Sequence, residues 1–279
     1  MASKKLPTAQ RCVKMLIDTH AHLNDPSLYA DYQGAIKRAA DAGVKEIINV
    51  GFDYPSSVMA VRLAEKHDNL WAMVGVHPHD ADSYNAEIEN KIKALAASSK
   101  VVAIGEIGLD FYYDNSPREL QREVFRKQIA LARELNKPIA IHDRDAHGNL
   151  LQILRERDSR GVGGILHCFS GSYEMAEECI ELGFYISFGG PVTFKNAVNV
   201  QAVAARVPLE RVLVETDCPY LSPHHLRGKL NEPANLVYVA QKLAELRQCS
   251  YEDICLITTE NARRLLFNSN KICNQGKLL

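Results

Sequence analysis

The stretch "DTHAHL" sets His20 and His22 two positions apart, directly after the apolar run "MLI". In an extended chain, residues i and i+2 point the same way, so Asp18, His20 and His22 share one face and the two imidazoles form a chelating edge. Four more ionisable residues emerge abruptly from Val/Ile/Leu/Gly stretches: Glu106 in "VVAIGE", His142 in "PIAIH", His167 in "GGILH" and Asp217 in "VLVETD". A lone strand-end histidine is usually a hydrogen-bonded structural residue, and a lone aspartate there usually caps a helix. Six in corresponding places are a different matter. Gathered together they could not stay buried unpaired, because desolvating each charge costs several kcal/mol. One divalent cation, or two, resolves the conflict.

Six donors are too many for one ion that keeps a position open, and suitable for two ions sharing a carboxylate. The expected division gives His20, His22 and Asp217 to one ion and His142 and His167 to the other, with Glu106 as the bridge. Mixed nitrogen and oxygen ligands favour Zn, Mn, Co or Ni over Mg, and the identity among these five stays open. Such a pair supports hydrolysis by an activated water, with Asp217 accepting its proton and Glu106 holding the centre together.

These residues need a scaffold that brings distant positions to one place. Eight runs rich in Val, Ile and Gly recur along the chain: "MLIDTH", "VKEIINVG", "LWAMVGVH", "VVAIGEIG", "PIAIHDR", "GGILHCF", "FYISFGG" and "VLVETD". Segments of helical period separate them, the alternation that builds a parallel sheet. One example is "LQREVFRKQIALARELN", where Leu120, Val124, Ile129, Leu131 and Leu135 trace one face. Ser116, Pro117 and Glu119 precede or open it as N-cap, helix-start proline and capping-box acid. Eight strand–helix units in about 250 residues match an α/β fold of the (β/α)8 TIM-barrel type, and a doubly wound open sheet is the alternative. In a barrel all the candidate residues, at the C-terminal ends of their strands, meet in one mouth. "EPANLVYVAQKLAELRQ" and "YEDICLITTENARRLLF" add two C-terminal helices. No linker or repeat divides the chain, so residues 15–268 are expected to form one domain. Residues 1–14 are expected to be a flexible extension, with Met15 as an alternative start, and 269–279 a polar tail.

Composition narrows the class further. With 46% hydrophobic and 24% charged residues in 279, the chain can bury a sizeable core. No apolar stretch reaches the roughly 20 residues of a membrane span, and the first fourteen residues lack the apolar block of a secretion signal. A cytoplasmic protein that needs no oligomer is expected. Seven cysteines without CxxC pairs fit reduced thiols. Cys168 and Cys218 alternate away from the polar residues before them, toward the helices. A net charge of −1 gives no global attraction for a polyanion, so any such binding is local.

Several cations and polar groups fall near the same mouth. His77 and His79 in "GVHPH" follow the third run, and Arg144 shares the direction of His142. Arg227 and Lys229 in "RGKLNEP" and Lys195 in "GGPVTFK" could grip a phosphate. Asp110 and Glu215 sit where they could orient ligands.

The ordered motifs "DTHAHL", "GVHPH", "GEIGLDFY", "IHDR", "HCFSGS", "GGPVTFK", "ETDCPYL" and "RGKLNEP" resemble those of the TatD family of metal-dependent deoxyribonucleases, within the amidohydrolase-like metallohydrolases. The resemblance spans residues 15–268 and excludes the N-terminal extension. It implies a TIM barrel with two divalent cations held by His20, His22, Glu106, His142, His167 and Asp217. Phosphotriesterase-like relatives bridge their metals with a carboxylated lysine, whereas the fourth run here carries Glu106. The implied substrate is DNA, as single strands or ends. An alternative keeps the same site but cleaves an ester or amide, such as the aminoacyl bond of a D-aminoacyl-tRNA. A non-enzymatic scaffold stabilised by metal would need a coordination sphere without exchangeable water.

Overall fold

The computed structural model describes residues 15–156 and 161–267. Both termini that the sequence sets apart, 1–14 and 269–279, lie outside the described residues. Among those described, eight strands appear, and they are the eight apolar runs: β1 (Leu16–Ala21), β2 (Val44–Val50), β3 (Leu70–Val74), β4 (Val101–Asp110), β5 (Ile139–Arg144), β6 (Gly164–Leu166), β7 (Phe184–Phe188) and β8 (Val212–Val214). Each pairs in parallel with the next in sequence order. An open sheet would leave β1 and β8 as free edges. Instead they meet: Thr19 Oγ1 donates to Val214 O (3.0 Å), the Asp217 amide to His20 O (2.9 Å) and the His22 amide to Cys218 O (2.8 Å). The sheet therefore curls into a nearly closed (β/α)8 barrel, as the alternation of runs implies.

Ten α-helices are described: α1 (Pro26–Tyr29), α2 (Tyr32–Ala42), α3 (Tyr54–Lys66), α4 (Ala86–Ala96), α5 (Arg118–Glu134), α6 (His147–Arg155), α7 (Tyr173–Glu181), α8 (Val198–Arg206), α9 (Leu236–Arg247) and α10 (Tyr251–Leu266). Local chemistry starts and stops them. Asp53 and Ser56 cap α3 reciprocally, and Ser250 and Asp253 do the same for α10. Gly43, at φ 100°, ends α2 in the left-handed conformation that glycine adopts without a Cβ penalty. No described helix is long and apolar enough to cross a membrane.

The capping expected for α5 does not form. Ser116 is buried and its hydroxyl donates to His79 O (2.9 Å), leaving the helix to begin after Pro117 with no side-chain cap. The tertiary bond, which fixes the "GVHPH" loop, wins over the local one.

Each strand contributes an apolar residue to the barrel interior: Ile17, Ile48, Met73, Ala103, Ala140, Ile165, Tyr185 and Leu213. Ala262, Leu265 and Leu266 of α10 pack onto this layer, with Trp71 and Phe267 beside them. The end where the strands begin is thus sealed with hydrocarbon, and a polar layer is tolerated only at the other end. A larger apolar shell lies between strands and helices. None of the five described cysteines forms a disulfide. Cys218 joins the apolar shell, and burial pushes its thiol and that of Cys168 above their ordinary range, which disfavours the nucleophilic thiolate.

Candidate metal centre

His20 lies in β1 and His22 one residue beyond it, and their Nε2 atoms converge to 3.2 Å. Asp18 does not join them. Its carboxylate accepts from Thr216 N (2.9 Å), Thr216 Oγ1 (2.6 Å) and His20 N (3.3 Å), stapling β1 to the chain after β8. A shift in the β1–β2 register between Asp18 and Ala21 breaks the simple alternation that would have kept all three together. Asp217 lies three residues past β8 in the left-handed region (φ 55°), a conformation aspartate tolerates better than most residues. Its Oδ1 stands 3.4 Å from His22 Nε2 and 3.9 Å from His20 Nε2.

Glu106 occupies the middle of this cluster. β4 continues to Asp110, so Glu106 is an interior strand residue and not the strand end that its run suggests. Its two oxygens face different partners. Oε2 is 3.3 Å from His20 Nε2 and 3.7 Å from His22 Nε2. Oε1 is 2.9 Å from His142 Nδ1, 3.2 Å from His167 Nε2 and 3.5 Å from His77 Nε2.

Surrounding groups set which imidazole nitrogen faces inward. His22 Nδ1 lies 3.0 Å from Val50 O, an acceptor only, so in the neutral ring Nδ1 carries the proton and Nε2 keeps its lone pair for a cation, while without one Asp217 beside Nε2 helps raise the ring's pKa. His167 Nδ1 lies 3.0 Å from Glu215 Oε1, which turns Nε2 toward Glu106. Glu215 is itself fixed by the Cys168 amide and by Ser187 Oγ (2.6 Å). His142 is reversed: Asp110 Oδ2 takes Nε2 (3.0 Å) and Nδ1 faces Glu106. Carboxylates and carbonyls behind imidazoles are the usual means of fixing a ligand's tautomer and raising its basicity. His77 differs. Its Nδ1 accepts the His79 amide (3.2 Å), so the neutral ring carries its proton on Nε2 and is a donor, not a lone-pair ligand. Burial drives its pKa down to about 4, which keeps it neutral.

Electrostatics bind the cluster together. Burial alone would raise the Glu106 carboxyl, but His167, His77, His20 and His142 around it outweigh that and hold it well below the carboxylate range. For Asp217 the same burial penalty is overcome by the hydrogen bond with His22 and by the neighbouring imidazoles. Burial would lower His142, yet its bonds to Asp110 and Glu106 raise it to about 9. His20, pressed by burial and by His167, is lowered.

The donor set fits divalent cations. Ligand atoms bonded at about 2.0–2.2 Å to one small cation stand about 3.0–3.6 Å from each other, and most of the separations here fall in or near that range. His20 Nδ1 is buried without a hydrogen-bond partner, so no group behind this ring fixes its tautomer as Val50 O and Glu215 do for His22 and His167. His20, His22 and Asp217 present atoms that all lie within 4.8 Å of one another.

The other expected residues divide. His79 Nε2 reaches Asp110 Oδ2 (2.8 Å), so Asp110 is shared by His79 and His142. Arg144, Arg227 and Lys195 are exposed on β5 or on the segments following β7 and β8, outside the imidazole cluster. Arg144 lies over Tyr112 and Tyr113, and Arg227 over Phe194. Three further residues place the site without announcing themselves in the sequence. Gln128 on α5 clasps both backbone groups of Val76 at 2.8 Å, and Gln121 clasps those of Asp110 at 2.9 and 3.1 Å. Asn231 donates to Thr216 O and Tyr220 O, holding the chain on either side of Asp217. The available signal was two glutamines seven residues apart on the apolar face of α5, a polar intrusion that a buried helix must explain.

A parallel barrel whose strands deliver histidines and carboxylates around a shared glutamate defines a TIM-barrel metal-dependent hydrolase. Residues 17–267 match the TatD related DNase family, and the chain belongs to that family. It is 51% identical over 251 residues, 90% of this chain and 98% of the other, to the uncharacterized metal-dependent hydrolase YabD of Bacillus subtilis. It is 35% identical, over 90% of this chain and 97% of the other, to the 3'-5' ssDNA/RNA exonuclease TatD of Citrobacter rodentium. The crystal structure of YjjV, a TatD homolog from Escherichia coli K12, superposes with a TM-score of 0.86 at 32% identity, covering 91% of this chain and 98% of that one.

Proposed function

We propose that this chain hydrolyses phosphodiester bonds in DNA, acting on single strands or ends, at a centre of two divalent cations. The observation that carries the reading is the division of the Glu106 carboxylate, one oxygen toward His20 and His22 and the other toward His142 and His167. His20, His22 and Asp217 would hold one cation, His142 and His167 the second, and Glu106 both. When bound, the cations supply Lewis acidity at the phosphate and bring the pKa of water toward neutrality.

The residues do the rest. Asp217, whose carboxylate is kept ionised and is the more exposed of the two acids, accepts the proton of the attacking water. His77 donates from Nε2 to an oxygen of the substrate or of Glu106. Exposed Arg144, Arg227 and Lys195 attract and orient the phosphate backbone locally, which a chain of net charge −1 requires. DNA as the substrate class is supported by the family's description and by the exonuclease name of the Citrobacter relative.

The test is digestion of 5'- and 3'-labelled single-stranded DNA by metal-loaded protein, beside a D-aminoacyl-tRNA. Metal-dependent shortening of DNA with the aminoacyl bond left intact is expected. Deacylation without DNA cleavage would overturn the assignment in favour of ester hydrolysis.

A further inference from the structure

Two of the most exposed aromatic side chains in the described protein stand side by side next to this centre: Tyr112 is 59% and Tyr113 54% exposed. Their rings meet edge to face at 5.0 Å, and the Arg144 guanidinium lies 4.1 Å from the Tyr112 ring centre and 4.7 Å from that of Tyr113. No carboxylate among the described residues pairs with Arg144, so its charge is available.

This arrangement is tied to the metal centre through one side chain. Asp110 Oδ1 accepts the amides of Tyr112 (3.0 Å) and Tyr113 (2.9 Å), while Oδ2 holds His142 and His79. Gln121 grips Asp110 from behind, the Phe111 amide donates to Arg144 O (2.9 Å), and Tyr113 packs its ring 5.4 Å from that of His79. The backbone that carries the rings is therefore held in register with His142. Two tyrosines left in water on a braced support are poorly explained by folding, which gains little from exposed rings.

We infer that Tyr112, Arg144 and Tyr113 form a shelf on which an unpaired nucleobase stacks beside the scissile phosphodiester. Every base has a π-face, so aromatic stacking holds single strands with little regard to sequence. The guanidinium adds a flat cationic surface and two donors suited to the adjacent phosphate. A base within a duplex already stacks on its neighbours, and the shelf therefore favours single strands. The inference rests on the nucleic-acid reading above and deepens it.

The test compares the KM for a single-stranded oligonucleotide with that for the same strand made abasic around the cleaved bond, in wild type, Tyr112→Ala and Tyr112→Phe. Stacking of one base is worth about 10- to 100-fold in affinity, so the wild type should prefer the base-bearing strand by about that factor. Tyr112→Phe should keep the preference, and Tyr112→Ala should bring the ratio toward one. A wild type that cleaves both strands with equal KM, or an undiminished ratio in Tyr112→Ala, would overturn the shelf while leaving the nuclease assignment standing. A wild type that cleaves neither strand overturns the nuclease assignment and the shelf with it.

Discussion

The Glu215 carboxylate lies 3.0 Å from Nδ1 of His167, with both side chains buried. Glu215 touches no other imidazole at hydrogen-bond distance, yet it decides which nitrogen of His167 faces Glu106. Replacing it with Gln keeps an acceptor for Cys168 and His167 and a donor for Ser187, while removing the charge. Affinity for Mn²⁺ or Zn²⁺ should fall about 10- to 100-fold with the far-UV circular dichroism unchanged. Unaltered affinity in a titration would show that this pair is structural only.

Metal loading should release protons. In the metal-free protein His142 keeps its proton up to about pH 9, and His167, against Glu215 and Glu106, is also raised once those partners outweigh burial. A cation must displace these protons at pH 7, so apparent affinity climbs with pH and levels off only above about 9. Calorimetric titrations in buffers of different ionisation enthalpy measure the release. Affinity that is flat between pH 6 and 9 would contradict the inward-facing role of His142.

Asp217→Asn retains the shape and one acceptor but cannot take up a proton. We expect kcat to drop by at least about 100-fold on single-stranded DNA, with KM changed far less. Gel analysis of end-labelled product reads both parameters.

Gly108 in β4 has φ +143°, and a Cβ there would sit 2.0 Å from His142 O. Gly108→Ala should therefore cost about 2–4 kcal/mol of stability and displace His142. Gly148, in the first turn of α6 with nothing within 4 Å of its Cβ position, is the control. Gly148→Ala should be neutral or slightly stabilising. Urea denaturation of both variants makes the comparison.

Chelation should abolish activity and leave the barrel folded. The interior layer draws one apolar residue from every strand and needs no metal to cohere. Near-UV circular dichroism before and after EDTA checks this, and unfolding at 25 °C would favour a structural role for the ions.

Much of the site was legible in the sequence because a charge at the end of a Val/Ile run is conspicuous. His142, His167 and Asp217 stand out on that ground, and the spacing of the runs was enough to suggest a barrel. What stayed hidden depends on contacts between distant segments. Nothing local to Asp18 says that its partner is Thr216, 198 residues away. Ser116 reads as an N-cap until His79 O takes its hydroxyl. Glu106 reads as the end of a strand because Gly105 and Gly108 on either side look like a turn, whereas β4 runs on to Asp110 in register with Arg144. Gln121 and Gln128 carry no charge, so only the folded helix reveals that they clasp the strands bearing the site.

The measurement that bears most directly on Glu106 is anomalous scattering from a crystal soaked in Mn²⁺. Two peaks per chain are expected, each within about 2.0–2.3 Å of a different Glu106 oxygen, one beside His20 and His22 and the other beside His142 and His167. A single peak, or two that leave Glu106 without a metal bond, would contradict the bridged two-cation centre.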